Sequence, residues 1–338
     1  MKIALVSPYT LPLPRGNSLT VQRLLEGLRG RGHSVRLFNC TADQPEELAA
    51  FAPDVVHSLH AVHPHAWLLR SGVLGSIPWI VTMTGTDYTT DVADGAPHTL
   101  AEAQALIVFH AEGAEKVSRR WPGLAERVHI IAQAVRVPEP DAGLRERLRR
   151  GMGIAAGETV IFMAAGLRPV KNISYALESF ARFRQTCPHS RILLAGPLLD
   201  EAESARVLAA VEGSEGSCYL GELQHGRVLE LMRAADVFLN TSLQEGMSGA
   251  VMEAMAAGLA VIATDIAGNR ALITHQQTGI LVPLHAPDAL AEAIRRLAAD
   301  PALRRRLGGS ARQAMGLRFG CEAELQAHEK LYAGIIAA

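Results

Sequence analysis

The feature that most constrains this chain is a rhythm in which short apolar runs, each the length of one buried strand, alternate with helical or loop-like stretches. Ile3 to Ser7 opens the series, a Pro/Gly loop runs from Pro8 to Gly16, and an amphipathic helix begins near Ser18 with Leu24, Leu25 and Leu28 on one face. Ser18 is the predicted N-cap and Gly32 the predicted C′ stop. VRLF at 35–38, DVVHSL at 54–59, WIVTMT at 79–84, ALIVF at 105–109 and RVHII at 127–131 continue the series. Near-continuous apolar runs mark strands buried on both faces, and their alternation with helices means a parallel sheet wound by helices.

The rhythm pauses at Val137-Pro-Glu-Pro-Asp141, where two prolines in a polar run mark a hinge, and the charged LRERLRR segment follows. It restarts with TVIFMAAG at 159–166, RILLAG at 191–196, SCYLG at 217–221, DVFLN at 236–240, LAVIAT at 259–264 and GILV at 279–282. Helical patterns lie between them at Ser174 to Phe183, Ala286 to Ala299 and Pro301 to Met315. At 338 residues the chain is also too long for one core. The expected fold is α/β, with two Rossmann-like doubly wound domains over 1–139 and 140–317. Ligands of such sheets bind outside the carboxyl ends of the strands, so the loops after Ser7, Thr84, Gly166, Gly196, Asn240 and Thr264 are expected to line one cleft.

Charge narrows the partners. Lys and Arg number 33 against 34 Asp and Glu, a net charge of −1, so no overall basic field draws the chain to nucleic acid or anionic lipid, and any anion must be bound locally. Cys40, Cys187, Cys218 and Cys321 form no CxxC pair, which argues against a zinc cluster or a disulfide scaffold. The apolar run in MKIALVSPY is too short for a signal-peptide core, and no stretch reaches the roughly 18–20 apolar residues of a spanning helix. A cytoplasmic protein without integral membrane association is expected.

Two constellations carry chemistry. In the first, Asn240 ends a strand, Glu245 lies on the following loop, and a helix begins at Ser248 or Gly249. Backbone N–H groups at that helix start, reached through Gly246 and Gly249, suit a diphosphate. Glu245 could accept hydrogen bonds from sugar hydroxyls and Glu253, one turn inside, from a ribose diol. Acidic residues at this spacing are often only a loop charge and a solvated helix charge, but Glu253 sits among Val251, Met252, Ala254 and Met255, where a charge needs a partner. In the second, Arg168 and Lys171 follow the strand ending at Gly166, three residues apart, where both could reach one phosphate.

These residues resemble the retaining GT-B glycosyltransferases of family 4, which use nucleotide-diphosphate sugars. The resemblance rests on the Glu-x7-Glu element, Arg168 and Lys171 after a Gly-ending strand, and the ATDIAGN turn at 263–269. The phrases GLRPVK, EGMSGAVMEAM and IAGNRALITHQQTGIL are especially similar to the subgroup of glycosyltransferase 1 domain-containing proteins. It implies that Arg168 and Lys171 bind the donor phosphates, Glu245 the sugar hydroxyls and Glu253 the ribose. The backbone of Gly246, Met247, Ser248, Gly249 and Ala250 would meet the sugar and diphosphate, and Gly16 would approach the donor phosphate or acceptor. The segment 318–338 would pack back on the N-terminal domain.

One departure stands out. Family members commonly carry a His at the end of the fourth N-terminal strand, where this chain has Thr84-Gly85-Thr86-Asp87. These four, together with Asn17 and His60, are candidate sugar or acceptor contacts, although TGTD also reads as a plain turn with an N-cap. His57, His60, His63 and His65 invite a metal, but no acidic or Cys ligand is interleaved and no HExxH is present. There is likewise no GxGxxG after the first strand, no Walker loop and no DxD pair, so no metal and no cofactor beyond the nucleotide sugar is expected.

The expected function is metal-independent transfer of a sugar, with retention, from a nucleotide diphosphate donor, a UDP-sugar foremost, to a nucleophile. The N-terminal half lacks an aromatic or basic amphipathic helix that would dock a lipid-linked substrate, which points to a small soluble acceptor. The alternatives are a nucleotide-sugar epimerase or hydrolase on the same fold, and a nucleotide-sugar-binding protein without turnover.

Overall fold

The computed structural model describes residues 1–8, 10, 16–85, 87, 100–136, 138 and 143–337, with the backbone alone at 16 and 17. Thr86 and, apart from Pro138, the 137–141 hinge lie outside the described residues. The chain forms two compact units, Met1–Ala134 with Phe319–Ala338, and Val135–Arg318.

In the first unit the strands are β1 (Lys2–Ser7), β2 (Ser34–Asn39), β3 (Val55–Leu59), β4 (Trp79–Thr82), β5 (Ala105–Val108) and β6 (Val128–Ile130). They pair in the order β2-β1-β3-β4-β5-β6, all parallel. Because successive side chains leave a strand on opposite faces, one apolar run feeds two cores. Ala4 and Val6 join Trp67, Leu68 and Val117 on one side. Ile3 and Leu5 join Val21, Leu24 and Leu28 of the Gly16–Gly30 helix and Leu325 and Tyr332 of the Cys321–Ile336 helix on the other. The C-terminal helix is therefore part of the first unit's core.

Polar contacts hold that helix in register. Arg23 donates through Nε and Nη2 to the two oxygens of Glu324, both at 2.8 Å, and Glu324 Oε1 also accepts the Ala134 N–H at 3.0 Å. Buried His57 hydrogen-bonds Tyr332 Oη at 2.6 Å through Nδ1 and Thr82 Oγ1 at 2.7 Å through Nε2. Burial, with some repulsion from His328, pushes the His57 pKa well below its ordinary value.

The helix starting near Ser18 differs from expectation at one end. It begins at Gly16, so Ser18 is an interior, fully buried residue rather than the cap. The other end is as expected: Gly32, at φ +86°, donates to Arg29 C=O while His33 donates to Leu28 C=O, the paired closure that favours glycine.

In the second unit the strands are β7 (Thr159–Ala164), β8 (Ser190–Ala195), β9 (Ser217–Tyr219), β10 (Val237–Asn240), β11 (Ala260–Thr264) and β12 (Ile280–Val282). Their order is β12-β11-β10-β7-β8-β9, again all parallel. Order reverses beside β7, so the loops after β7 and β10 lie together at the carboxyl edge, the place where such sheets take ligands.

Candidate functional site

After β7 the chain passes Gly166 and makes one tight turn at Pro169–Lys171, and Asn172 at φ +49° leads into the Ile173–Arg184 helix. This segment is fastened to the loop after β10: Leu243 N–H donates to Val170 C=O at 2.8 Å, and Thr241 Oγ1 donates to the carbonyls of Lys171 and Asn172 at 3.0 and 3.1 Å. Lys171 is thereby carried onto Glu245, with Nζ 2.5 Å from Oε1. Each side chain is under 15 % exposed, at 14 % and 12 %.

Glu245 Oε1 also accepts from Ser242 Oγ at 2.7 Å and lies 3.4 Å from Asn240 Nδ2. Burial alone would push its pKa up, but Lys171, the Ser242 hydroxyl and the nearby Arg168 charge outweigh that and leave it lowered. Glu245 is therefore held as a carboxylate. Arg168 begins the turn, and its Nε is buried without a hydrogen-bond partner among the described residues. The two expected phosphate ligands thus differ: Arg168 keeps an open donor, whereas Lys171 is engaged by Glu245.

Ser248 caps the Gly249–Ala256 helix, its Oγ accepting the Val251 N–H at 3.5 Å, and also lies 3.4 Å from Asn240 Nδ2. Gly249 is exposed, and a Cβ there would meet nothing within 4 Å, so the helix start faces open space. Behind it the Ala267–Arg270 turn packs on the Glu245–Gly246 backbone, where a Cβ on Gly268 would come within 2.5 Å of Glu245 O. Asn269 Nδ2 donates to Asn240 Oδ1 at 3.1 Å and Thr264 O at 3.0 Å, bracing the loop. Glu253 does have the partner its apolar neighbours demand: His225 Nε2, 2.7 Å from Oε1. Ser242 and His225 went unread in the sequence, the first for want of spacing to a motif, the second because it opens another helix.

In the first unit, Gly16 and Asn17 start the Gly16–Gly30 helix. His60 follows β3 at φ +85°, with Nδ1 near the N–H groups of Val62 and His63 (3.1 and 3.4 Å) and its ring 4.3 Å from that of His63. Burial lowers its pKa, with Asp87 opposing and His63 assisting. Asp87 is fully buried and accepts N–H groups of Ala61, Thr84 and Gly85 at 2.9–3.1 Å. The TGTD segment thus uses its carboxylate to tie the loops after β3 and β4, and Asp87 has little capacity left for a ligand. His57 lies in the core and His65 stacks on Trp79, so the four histidines are not one cluster.

A family model described as "Glycosyl transferases group 1" matches residues 145–314. Over 94% of the chain and 93% of the relative, 26% of residues are identical to a "Glycosyltransferase 1 domain-containing protein 1" of Xenopus tropicalis. A "D-inositol 3-phosphate glycosyltransferase" of Xylanimonas cellulosilytica is also 26% identical, covering 86% of this chain and 78% of its own. Among solved structures, HepE of Anabaena in complex with UDP-glucose superposes with a TM-score of 0.83 at 17% identity, over 99% and 100% of the two chains. Sucrose-phosphate synthase of Thermosynechococcus elongatus gives 0.82 at 22%, over 100% and 99%.

Proposed function

The chain belongs to the glycosyl transferases group 1 family and is a glycosyltransferase, and on that premise we propose that it moves a sugar from a UDP-sugar to a small acceptor, with retention and without a metal. The observation that carries the reading is the Lys171–Glu245 ion pair, with the Arg168 charge close by, beside the open helix start at Gly249. Two cations and unpaired N–H groups suit a diphosphate, and a fixed carboxylate suits sugar hydroxyls. UDP is the favoured base carrier because the fold-neighbour HepE was captured with UDP-glucose. Retention is supported by the resemblance of GLRPVK and Glu-x7-Glu to retaining enzymes.

In this reading Arg168, Lys171 and the Gly249 helix start offset the charge that develops as the diphosphate leaves. The sugar then carries oxocarbenium-like charge, and a phosphate oxygen of the leaving group takes the acceptor proton. Glu253 accepts the ribose diol. Absence of a metal requirement follows from cationic side chains doing the neutralising. A cytoplasmic location is part of this reading, and among the described residues no helix is long and apolar enough to cross a membrane.

The test is a panel of UDP-, GDP- and ADP-sugars, each with and without a small-metabolite pool and with EDTA, read by mass spectrometry for free nucleoside diphosphate and a new glycoside. A pool-dependent glycoside from the UDP-sugars, insensitive to EDTA and lost in Glu245→Ala, is expected. Binding without any turnover would sink the catalytic roles, and activity abolished by EDTA would sink metal independence.

A further inference from the structure

Among the described residues His225 is the one titratable side chain in hydrogen-bond contact with Glu253, and no motif or spacing in the sequence marks it. It opens the His225–Ala234 helix, which packs beside the Gly249–Ala256 helix, so two separate elements meet at this pair. Glu253 is 18 % exposed and its neighbours Val251, Met252, Ala254 and Met255 are buried, so the carboxylate lies in mostly apolar surroundings where a polar partner matters. His225 takes one carboxylate oxygen at 2.7 Å, and Oε2 has no hydrogen bond among the described residues. The imidazole is 36 % exposed, so the pair lies at the rim of the site rather than within the core.

A long carboxylate side chain that must meet two adjacent hydroxyls loses binding if it samples several rotamers. With His225 on Oε1, Oε2 and the remaining lone pair of Oε1 are left to accept, and two acceptor oxygens held on one carboxylate are what a cis-diol needs. We propose that His225 is a positioning residue that fixes the Glu253 carboxylate for the ribose hydroxyls of the donor, and so sets the preference of this site for ribonucleotides over 2′-deoxyribonucleotides. This rests on the reading of Glu253 as the ribose contact.

The contact with Glu253 is also the main reason the His225 pKa is raised, with burial opposing it. The proton that this pairing favours strengthens the hold on Oε1. Lys171 and Glu245 belong to the separate hydrogen-bonded network around Asn240, and among the described residues neither they nor Arg168 hydrogen-bonds His225.

The experiment measures Kd for UDP and 2′-deoxy-UDP, with ADP and GDP pairs in parallel, on the full chain and its variants His225→Ala, His225→Gln and Glu253→Gln. The native chain should favour its ribonucleotide about tenfold, the size of one hydrogen bond to a charged group. His225→Ala should compress that ratio to about twofold, raising the donor KM while kcat is kept, because the reacting carbon is at the other end of the donor. His225→Gln places an amide N–H near the lost Nε2 and should restore most of the ratio. If His225→Ala fails to fold, His225→Met keeps the bulk without the donor and is read the same way. A ratio unchanged by the His225 variants but compressed in Glu253→Gln would overturn the role of His225 and leave the ribose contact standing. A ratio that no variant moves, or no preference in the native chain, would overturn both, as would failure to bind any nucleoside diphosphate.

Discussion

Lys171 and Glu245 show how much one buried pair is asked to do. Both are largely out of water, so removing either partner leaves a mostly buried charge without its direct ion-pair partner, at a cost of about 3 kcal/mol. Lys171→Ala should lose about that in urea unfolding and should also lose donor turnover. Replacing both, as Lys171→Met with Glu245→Leu, should recover most of the stability and none of the activity, which separates the folding role from the chemical one. The pH dependence follows from the lowered pKa of Glu245. A carboxyl whose folded value lies below its unfolded value of about 4.3 contributes fully above that pH, and its contribution is lost as pH falls through the folded value. In Lys171→Ala the burial effect has less opposition and raises the carboxyl pKa, so the stability gap between native chain and variant should narrow from pH 7 to pH 4. A gap that is constant across that range would mean that Glu245 does not depend on Lys171 for its charge.

At the level of elements, the donor-side loops are set by close backbone approach as much as by side chains. A Cβ on Gly268 would meet backbone oxygens of Glu245 and Gly246 at 2.5 and 2.8 Å, and neither can swing away as a side-chain tip would. Gly268→Ala should cost about 1–3 kcal/mol and weaken UDP binding, with the circular dichroism of the folded chain retained. Gly309→Ala is the opposite case. Nothing lies within 4 Å of that Cβ in the Pro301–Arg318 helix, so it should stabilise by up to about 1 kcal/mol. Equal effects at the two glycines in thermal unfolding would contradict the packing argument.

Such elements also mark what the sequence could show. Each of the expected runs became one strand. In the central strands such as β3, β4, β5 and β10 every residue is buried, because a parallel sheet covered on both faces needs uninterrupted apolar residues, and that demand is local. The edge strands β6 and β9 are only partly covered. Ser18 has a cap's chemistry yet lies inside the Gly16–Gly30 helix, and only the tertiary fold shows it buried. Glu253 announced its need for a partner through apolar neighbours, but His225 answers from 28 residues away on a different helix. Likewise the Asp87 carboxylate was legible as a turn residue, while its bond to Ala61 N–H joins two strand ends that only the sheet order brings together.

On the scale of the whole molecule, the chain begins in one unit, builds the second, and returns to the first at Phe319. The first unit therefore cannot finish its core until the C-terminal helix is made, since Leu325 and Tyr332 complete the apolar face that Leu24 and Leu28 begin. Removing 321–338 should strip amide protection from β1–β6 in hydrogen exchange while β7–β12 keep theirs. The same junction should make the first unit acid-sensitive. His57 and His328 are both buried with lowered pKa values, whereas the unfolded chain titrates near 6.5. Below that pH the unfolded state binds more protons, so the stability these imidazoles permit is complete above about 6.5 and declines as pH falls toward their folded values. Tyr332→Phe removes the hydroxyl from His57 Nδ1 and leaves a buried ring nitrogen unpaired, a cost of about 1–2 kcal/mol at pH 7.5. Hydrogen exchange at pH 7.5 and 5.5, corrected for the intrinsic rates, should then show β1 and β3 losing protection at the lower pH in the native chain. The lost protection should appear already at pH 7.5 in Tyr332→Phe, with β7 and β10 unaffected in both. Uniform loss across all four strands would instead mean that the two units unfold as one.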